Sequence, residues 1–69
     1  MNKENARIIL AMANNNMNVC EVARQLFMNR NTVIYRLNKV KIQTGLNARQ
    51  FYDLIELVKI AKEVLDYVE

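Results

Sequence analysis

The chain has no histidine and no proline, and it contains one cysteine and one glycine among its 69 residues. Without histidine, and with Cys20 as the single thiol, the usual zinc ligand sets cannot be assembled and no internal disulfide can form. We therefore expect no metal site, no cofactor and no catalytic residues. The scarcity of helix breakers predicts helices joined by short turns.

Long apolar runs and a secretory leader are also lacking. No stretch approaches the roughly 18 apolar residues that a membrane-crossing helix needs. Residues 1–5, Met-Asn-Lys-Glu-Asn, do not form the apolar segment of a signal peptide. A lone cysteine fits a reducing compartment, so the expectation is a soluble, cytoplasmic protein.

Acidic residues are missing from the middle of the chain. Residues 22–52 contain six basic residues and no acid, whereas residues 53–69 carry five acids against two lysines. The net charge of +3 therefore understates how strongly positive charge is concentrated in one segment. This pattern favours a polyanion as partner, although a solvated basic face produces the same composition.

Apolar spacing and capping residues predict a single all-α domain of four helices. The predicted helices cover residues 4–13, 18–27, 30–44 and 48–67. Asn18 and Glu21 stand at the spacing of a capping box, at the start of the second helix. Asn47 and Gln50 repeat that spacing before the fourth helix. Gly45 is placed where a left-handed residue ends the third helix.

Stripes of apolar residues at helical spacing are predicted to face the core. In the first helix the stripe is Ala6, Ile9, Leu10 and Ala13. In the third helix it is Val33, Leu37, Val40 and Thr44. In the fourth helix it is Phe51, Leu54, Val58, Ala61 and Leu65.

The second and third helices, separated by a very short turn, predict a helix-turn-helix over residues 18–44. Ala23 is small enough to let the third helix approach the second closely. An apolar clamp would hold the pair together, formed by Val22, Leu26, Met28, Val33 and Leu37. Phe27 stands at the turn position where many members of this motif carry glycine, so the sequence departs there from the common pattern.

The helix at residues 30–44 is the predicted recognition helix, lying in the major groove. A 100° projection places Asn31, Tyr35, Asn38 and Ile42 opposite its buried stripe. Amide, hydroxyl and cationic side chains are the groups that read base edges and hold phosphates. The predicted DNA-binding residues are Asn29, Arg30, Asn31, Thr32, Tyr35, Arg36 and Lys39.

Several of these residues also have a purely structural interpretation, which the sequence leaves open. Arg30 and Arg36 fit ordinary surface arginines, and Asn29 fits a helix cap and nothing more. Tyr35 fits a half-buried residue lying over a neighbouring helix. Thr32 fits a side chain that bonds back within the first turn.

A family resemblance appears in residues 29–37, NRNTVIYRL, followed by the Thr-Gly-Leu of residues 44–46. They resemble the recognition-helix signature of the C-terminal DNA-binding domain of PucR-type regulators, which the sugar-diacid regulators share. That pattern continues into a helix that begins near a phenylalanine, here Phe51. Residues 18–19 and 22–27 match its first motif helix. A weaker likeness extends to the DNA-bending protein Fis.

The resemblance covers about residues 6–62 and implies a bacterial transcription regulator that binds double-stranded DNA. The residues that it places near DNA are Arg30, Asn31, Thr32, Tyr35 and Arg36. It also accounts for Phe27, since members commonly lack the turn glycine, whereas Ile34 stands where a basic or polar residue is frequent. Members normally carry large sensory domains upstream, but this chain starts at Met1. A standalone regulator and an excised domain both stay open.

The fourth helix has more apolar surface than one-sided packing uses. A second stripe, spaced three, four and three, resembles a coiled-coil seam and consists of Leu57, Ile60, Val64 and Tyr67. Ile8 and Met12 give the first helix a similar surplus. We expect 69 residues to leave such a stripe exposed, and the seam to form a homodimer interface. Burial of both stripes in one monomer, or docking on upstream segments, are the alternatives.

An enzymatic function finds no support in the residues, because no histidine base accompanies Cys20 and no phosphate-binding glycine loop is present. The alternative to DNA binding is a small helical adaptor. It would hold an acidic protein on the basic segment and use the apolar fourth helix as a second surface. The salt dependence of binding distinguishes the two functions.

Overall fold

The computed structural model describes residues 1–66, in which four helices and no strand are formed. They are α1 (Lys3–Asn14), α2 (Val19–Gln25), α3 (Arg30–Thr44) and α4 (Phe51–Asp66). The prediction of an all-α domain of four helices is confirmed. In this described part of the chain, none of the helices is long and apolar enough to cross a membrane.

Asparagine side chains start the first three helices, each at the residue before the helix. The Oδ1 atom of Asn2 accepts a hydrogen bond from the Asn5 amide at 2.7 Å. Asn18 caps α2 through the Glu21 amide at 3.2 Å. Asn29 caps α3 by accepting a hydrogen bond from the amide of Asn31, the second residue of the helix. An asparagine at this position pairs an amide that would otherwise have no partner within the helix, so short polar residues mark the helix starts.

The end of α3 follows the prediction at Gly45 but not at Thr44. Gly45 adopts the left-handed conformation with φ of 76°, and its amide donates to the Lys41 carbonyl at 2.8 Å. Thr44, predicted to face the core, is exposed. Its hydroxyl donates to the Val40 carbonyl and accepts from the Leu46 amide, so the side chain closes the last turn instead of packing inward.

The start of α4 lies later than predicted, at Phe51 instead of residue 48. Asn47 does accept a hydrogen bond from the Arg49 amide, but the chain makes a separate turn over residues 47–50 before the helix begins. The hydrogen bond that opens α4 is donated by the Leu54 amide to the carbonyl of Gln50, the residue before the helix. The Asn47–Gln50 pattern therefore stabilises this separate turn and does not mark the first residue of α4.

Helix α1 is the centre of the domain, because it packs against each of the other three helices. Helices α2 and α3 lie together on one side of it. Among residues 1–66, α4 packs on α1 alone and does not reach α2 or α3. Helices α3 and α4 are therefore on different sides of the domain.

The central position of α1 overturns the prediction that Ile8 and Met12 are surplus surface residues. Both are buried, with 1% and 0% exposure. Ala13, predicted to face the core, is exposed. A helix covered from two sides buries most of its circumference, and a single-stripe projection cannot anticipate that.

The orientation of α4 also differs from the prediction. Leu57 was assigned to an exposed seam, yet it is fully buried at 0%. Phe51, assigned to the core stripe, is 59% exposed. The residues that α4 buries are Leu54, Leu57 and Ala61. The helix is rotated about its axis so that Leu57 faces α1. Ile60 and Val64 are partly buried, and Tyr67 lies outside the described residues.

Candidate nucleic-acid interface

The turn between α2 and α3 has the hydrogen bonds of a helix-ending motif built around a left-handed residue. Phe27 occupies that position with φ of 55°. Its amide donates to the Arg24 carbonyl, and the Met28 amide donates to the Ala23 carbonyl at 2.9 Å. This pair of bonds defines a Schellman motif, which usually places glycine where Phe27 stands. The sequence-based comparison of Phe27 with the turn glycine is therefore confirmed.

Apolar packing fixes α3 against α2. Val22 and Val33 are fully buried, and Ala23 and Leu37 retain less than a tenth of their exposure. Leu26 and Met28 are partly buried and pack on the same core. Because both helices contribute to one rigid cluster, the outer face of α3 has a fixed orientation relative to the rest of the domain.

Most of the predicted DNA-binding residues lie on the exposed side of α3. Asn31, Thr32 and Lys39 are exposed, and Tyr35 is 57% exposed. The Lys39 ammonium lies 5.5 Å from the centre of the Tyr35 ring, within the range of a cation–π contact. Tyr35 is therefore more than half exposed, lies beside Lys39 and is not part of the buried core.

Asn29 and Arg30 form the entry to α3. The Asn29 Oδ1 atom accepts the Asn31 amide at 2.7 Å, so its role as a cap is confirmed. Its side-chain NH2 group makes no hydrogen bond within residues 1–66 and can donate to a ligand. Arg30, the first residue of the helix, is exposed and forms no ion pair with any described residue.

Arg36 differs from the other predicted contacts because it is already engaged. Its guanidinium forms an ion pair with the Glu4 carboxylate on α1, and its side chain is 35% exposed. The pair ties α3 to α1. No spacing in the sequence signals a contact between residues so far apart, and only the packing of the two helices brings them together.

Lys41 is a basic residue that the predicted set omitted. It is exposed on α3 and, like Arg30 and Lys39, has no acidic partner in the described part of the chain. The signal for it was the run without acids over residues 22–52, which includes it. The exposed surface of α3 therefore carries three cations that are not neutralised by described acids.

Groups suited to metal binding are not found in this surface. Within residues 1–66, no three histidine, cysteine, aspartate or glutamate side chains come together in a way that could hold a metal ion. Cys20 is exposed on α2. The arrangement of α3 is thus one of hydrogen-bond donors, amides and cations on a rigid helix, which matches the chemistry of base edges and phosphates.

Comparison with known families identifies this arrangement. The model of the PucR C-terminal helix-turn-helix domain matches residues 6–59, most of the chain. The chain belongs to this family. The resemblance seen in its recognition-helix signature is confirmed, and membership indicates a DNA-binding domain of a transcription regulator. No curated protein and no solved structure matches the chain.

Proposed function

We propose that this PucR-type domain binds double-stranded DNA by inserting α3 into the major groove, as part of a bacterial transcription regulator in the cytoplasm. The observation that carries the proposal is the outer face of α3, where unneutralised cations and amides stand on a helix clamped by Val22, Val33 and Leu37. A rigid helix with this surface can enter the groove without reordering side chains of the core.

The individual roles follow from position along α3. Arg30 and Asn31 lie in the first turn, the part of a recognition helix that approaches base edges. Thr32 and Lys39 lie beside the outer face and suit phosphate contacts. The first turn of α3 contains no acidic residue, so the partial positive charge of its N-terminus favours a phosphate. Arg36 acts as a positioning residue that holds α3 on α1 through Glu4.

A homodimer through α4 forms the second part of the proposal. Because α4 packs only on α1 within residues 1–66, a partner on α4 leaves both recognition helices free. Two such helices about 34 Å apart read successive turns of the major groove. Leu57, buried in the monomer, does not contribute, whereas Ile60 and Val64 keep partly exposed surface.

Sedimentation velocity at micromolar concentration tests the dimer. We expect a species of twice the monomer mass of 8.1 kDa, reduced to monomer by Ile60→Ser. Ile55→Ser, on the opposite flank of α4, is the matched control. A wild-type chain that sediments only as an 8.1 kDa monomer overturns this part of the proposal.

DNA binding is tested by fluorescence anisotropy with random duplex DNA at two salt concentrations. Binding through several phosphates should weaken by orders of magnitude between about 50 and about 200 mM salt. Lys39→Ala should weaken binding to all sequences and reduce the salt slope by about one. Lys62→Ala removes an equal charge from the exposed surface of α4 and should have little effect on DNA affinity. A chain that does not bind at low salt contradicts the proposal.

Arg30 tests the position of α3 on a selected site. Arg30→Ala should weaken binding by about 1–3 kcal/mol and relax preference at one base pair. Its circular dichroism spectrum should stay unchanged, because the side chain is exposed. Unchanged affinity would mean that α3 does not enter the groove by its first turn.

The adaptor function is the second candidate, and the surface of α4 favours it. Phe51, Tyr52 and Ile55 are large apolar residues with 59%, 80% and 39% exposure. Phe51 and Ile55 line a groove of about 430 Å³ between α4 and the end of α1. Exposed apolar surface of this kind is typical of a protein interface. Salt-sensitive association with DNA that Lys39→Ala weakens would favour DNA binding by α3 over the adaptor function.

A further inference from the structure

One line of residues on α3 points straight away from the core. It consists of Asn31, Tyr35, Asn38 and Ile42, which we call the outward strip. All four are exposed, while Val33, Leu37 and Val40 on the opposite side of the same helix are buried. If α3 lies along the major groove as proposed, the outward strip continues the base contacts of the first turn along the rest of the helix.

The two asparagines of the strip are not used by the fold. Elsewhere in the chain, Asn2, Asn18 and Asn29 serve as helix caps. Within residues 1–66, the side-chain amides of Asn31 and Asn38 have no hydrogen-bond partner. Asparagine is a weak helix former, so Asn38 in the middle of α3 gains nothing from local structure. A free asparagine amide pairs with the N6 and N7 atoms of adenine through two hydrogen bonds.

Ile42 brings an apolar group to an otherwise polar strip. Its side chain is 80% exposed, and it is not part of the described core. The one apolar group that base pairs present in the major groove is the methyl group of thymine. Ile42 and the two asparagines therefore favour the same pair, A·T.

Spacing along the helix agrees with this interpretation. Asn31 and Asn38 are two helical turns apart, which is about 10.5 Å at a rise of about 1.5 Å per residue. Three base-pair steps of about 3.4 Å span nearly the same distance. Ile42 lies one turn further on, about 6 Å or two steps away. A helix lying along the groove thus places the two amides on base pairs about three steps apart.

The basic residues of α3 lie beside the outward strip and are not members of it. Arginine and lysine are the usual readers of guanine. Arg36 is held by Glu4, and Lys39 lies over the Tyr35 ring. Arg30 is an exposed cation at the N-terminal edge of α3 and is the residue available for a guanine there.

We propose that the outward strip makes this domain specific for A·T base pairs, with Asn31 and Asn38 reading adenines and Ile42 reading a thymine methyl. This inference rests on the proposed binding of α3 in the major groove. It names the sequence class that the groove contact selects, which the family match does not provide.

Selection of binding sites from random duplex DNA gives the first test. We expect two A·T positions about three base pairs apart, with a further thymine beyond the second. Sites with a G·C core at these positions would overturn the inference, even if salt-dependent binding to DNA persists. Failure to bind any duplex at low salt would overturn the proposed function itself, and this inference with it.

Replacement of single atoms in the selected site then assigns the contacts. Deoxyuridine in place of the thymine removes only the methyl group and should weaken wild-type binding about fourfold. Ile42→Ala should bind both sites equally, whereas Ile55→Ala on α4 should keep the fourfold difference. If deoxyuridine weakens binding equally for wild type and Ile42→Ala, the role of Ile42 is overturned.

The adenine contacts are tested in the same way with 7-deazaadenine, which removes the N7 acceptor. Wild type should lose about tenfold in affinity at each adenine, since the change removes one of the two hydrogen bonds of a bidentate contact. Asn31→Ala should become insensitive at one adenine only, and Asn38→Ala at the other. Both variants should retain the wild-type salt slope, because neither removes a charge. Variants that remain sensitive at both adenines would overturn the assignment.

Discussion

Leu57→Ala tests whether this side chain belongs to the core or to a dimer seam. Leu57 is fully buried on α4 and faces α1. Truncation of a buried leucine to alanine destabilises proteins by about 2–5 kcal/mol, through lost apolar burial and the cavity left behind. We expect about 3 kcal/mol here, since α1 and α4 can shift slightly toward each other.

This loss is large relative to the stability of so small a domain. A chain of 69 residues has a free energy of unfolding of roughly 3–10 kcal/mol. Leu57→Ala should therefore unfold a substantial fraction of the protein near physiological temperature. Ile42→Ala, which removes an exposed side chain, should change the unfolding free energy by less than about 0.5 kcal/mol.

Urea unfolding followed by circular dichroism, at a low and a high protein concentration, separates the two interpretations. A core residue lowers stability equally at both concentrations. A residue in a dimer interface changes how strongly stability depends on concentration, because dimerisation stabilises by mass action. A loss below about 1 kcal/mol, or one that alters the concentration dependence, would refute the burial of Leu57 against α1.

Two further predictions concern local backbone structure and one concerns the ion pair. Phe27→Gly should raise the free energy of unfolding by about 0.5–1 kcal/mol, because Phe27 has a φ of 55° and its side chain is 96% exposed. A lower stability of this variant in urea unfolding would contradict the prediction. Asn18→Ala should lower it by about 1 kcal/mol through loss of the α2 cap, and thermal melts that match wild type would disprove that role. Glu4→Ala should destabilise by less than about 1 kcal/mol, because the pair with Arg36 is partly exposed, and high salt should remove the difference.

Sequence patterns were sufficient for most features that depend on near neighbours, although they misassigned Thr44 and the start of α4 after Asn47. A cap bonds to an amide two or three residues away, so Asn18 and Asn29 could be assigned from spacing alone. Gly45 and Phe27 could be placed at helix ends for the same reason. The buried side of α3 followed from periodicity at Val33, Leu37 and Val40, because this helix packs on one face only.

Patterns failed where a residue's environment depends on elements that are distant in the chain. Ile8 and Met12 looked like surplus surface until α1 proved to be covered from two sides. Leu57 and Phe51 both fit an apolar stripe, and periodicity cannot tell which edge of a largely apolar helix turns inward.

The sequence by itself determined four helices, the helix-turn-helix and the chemical character of α3, because these follow from local bonding and composition. Only the tertiary structure decided the rotation of α4 and the engagement of Arg36 by Glu4. Both depend on how α1 packs with its neighbours. Such packing is the joint result of all the buried side chains, and it cannot be read from the spacing within any single helix.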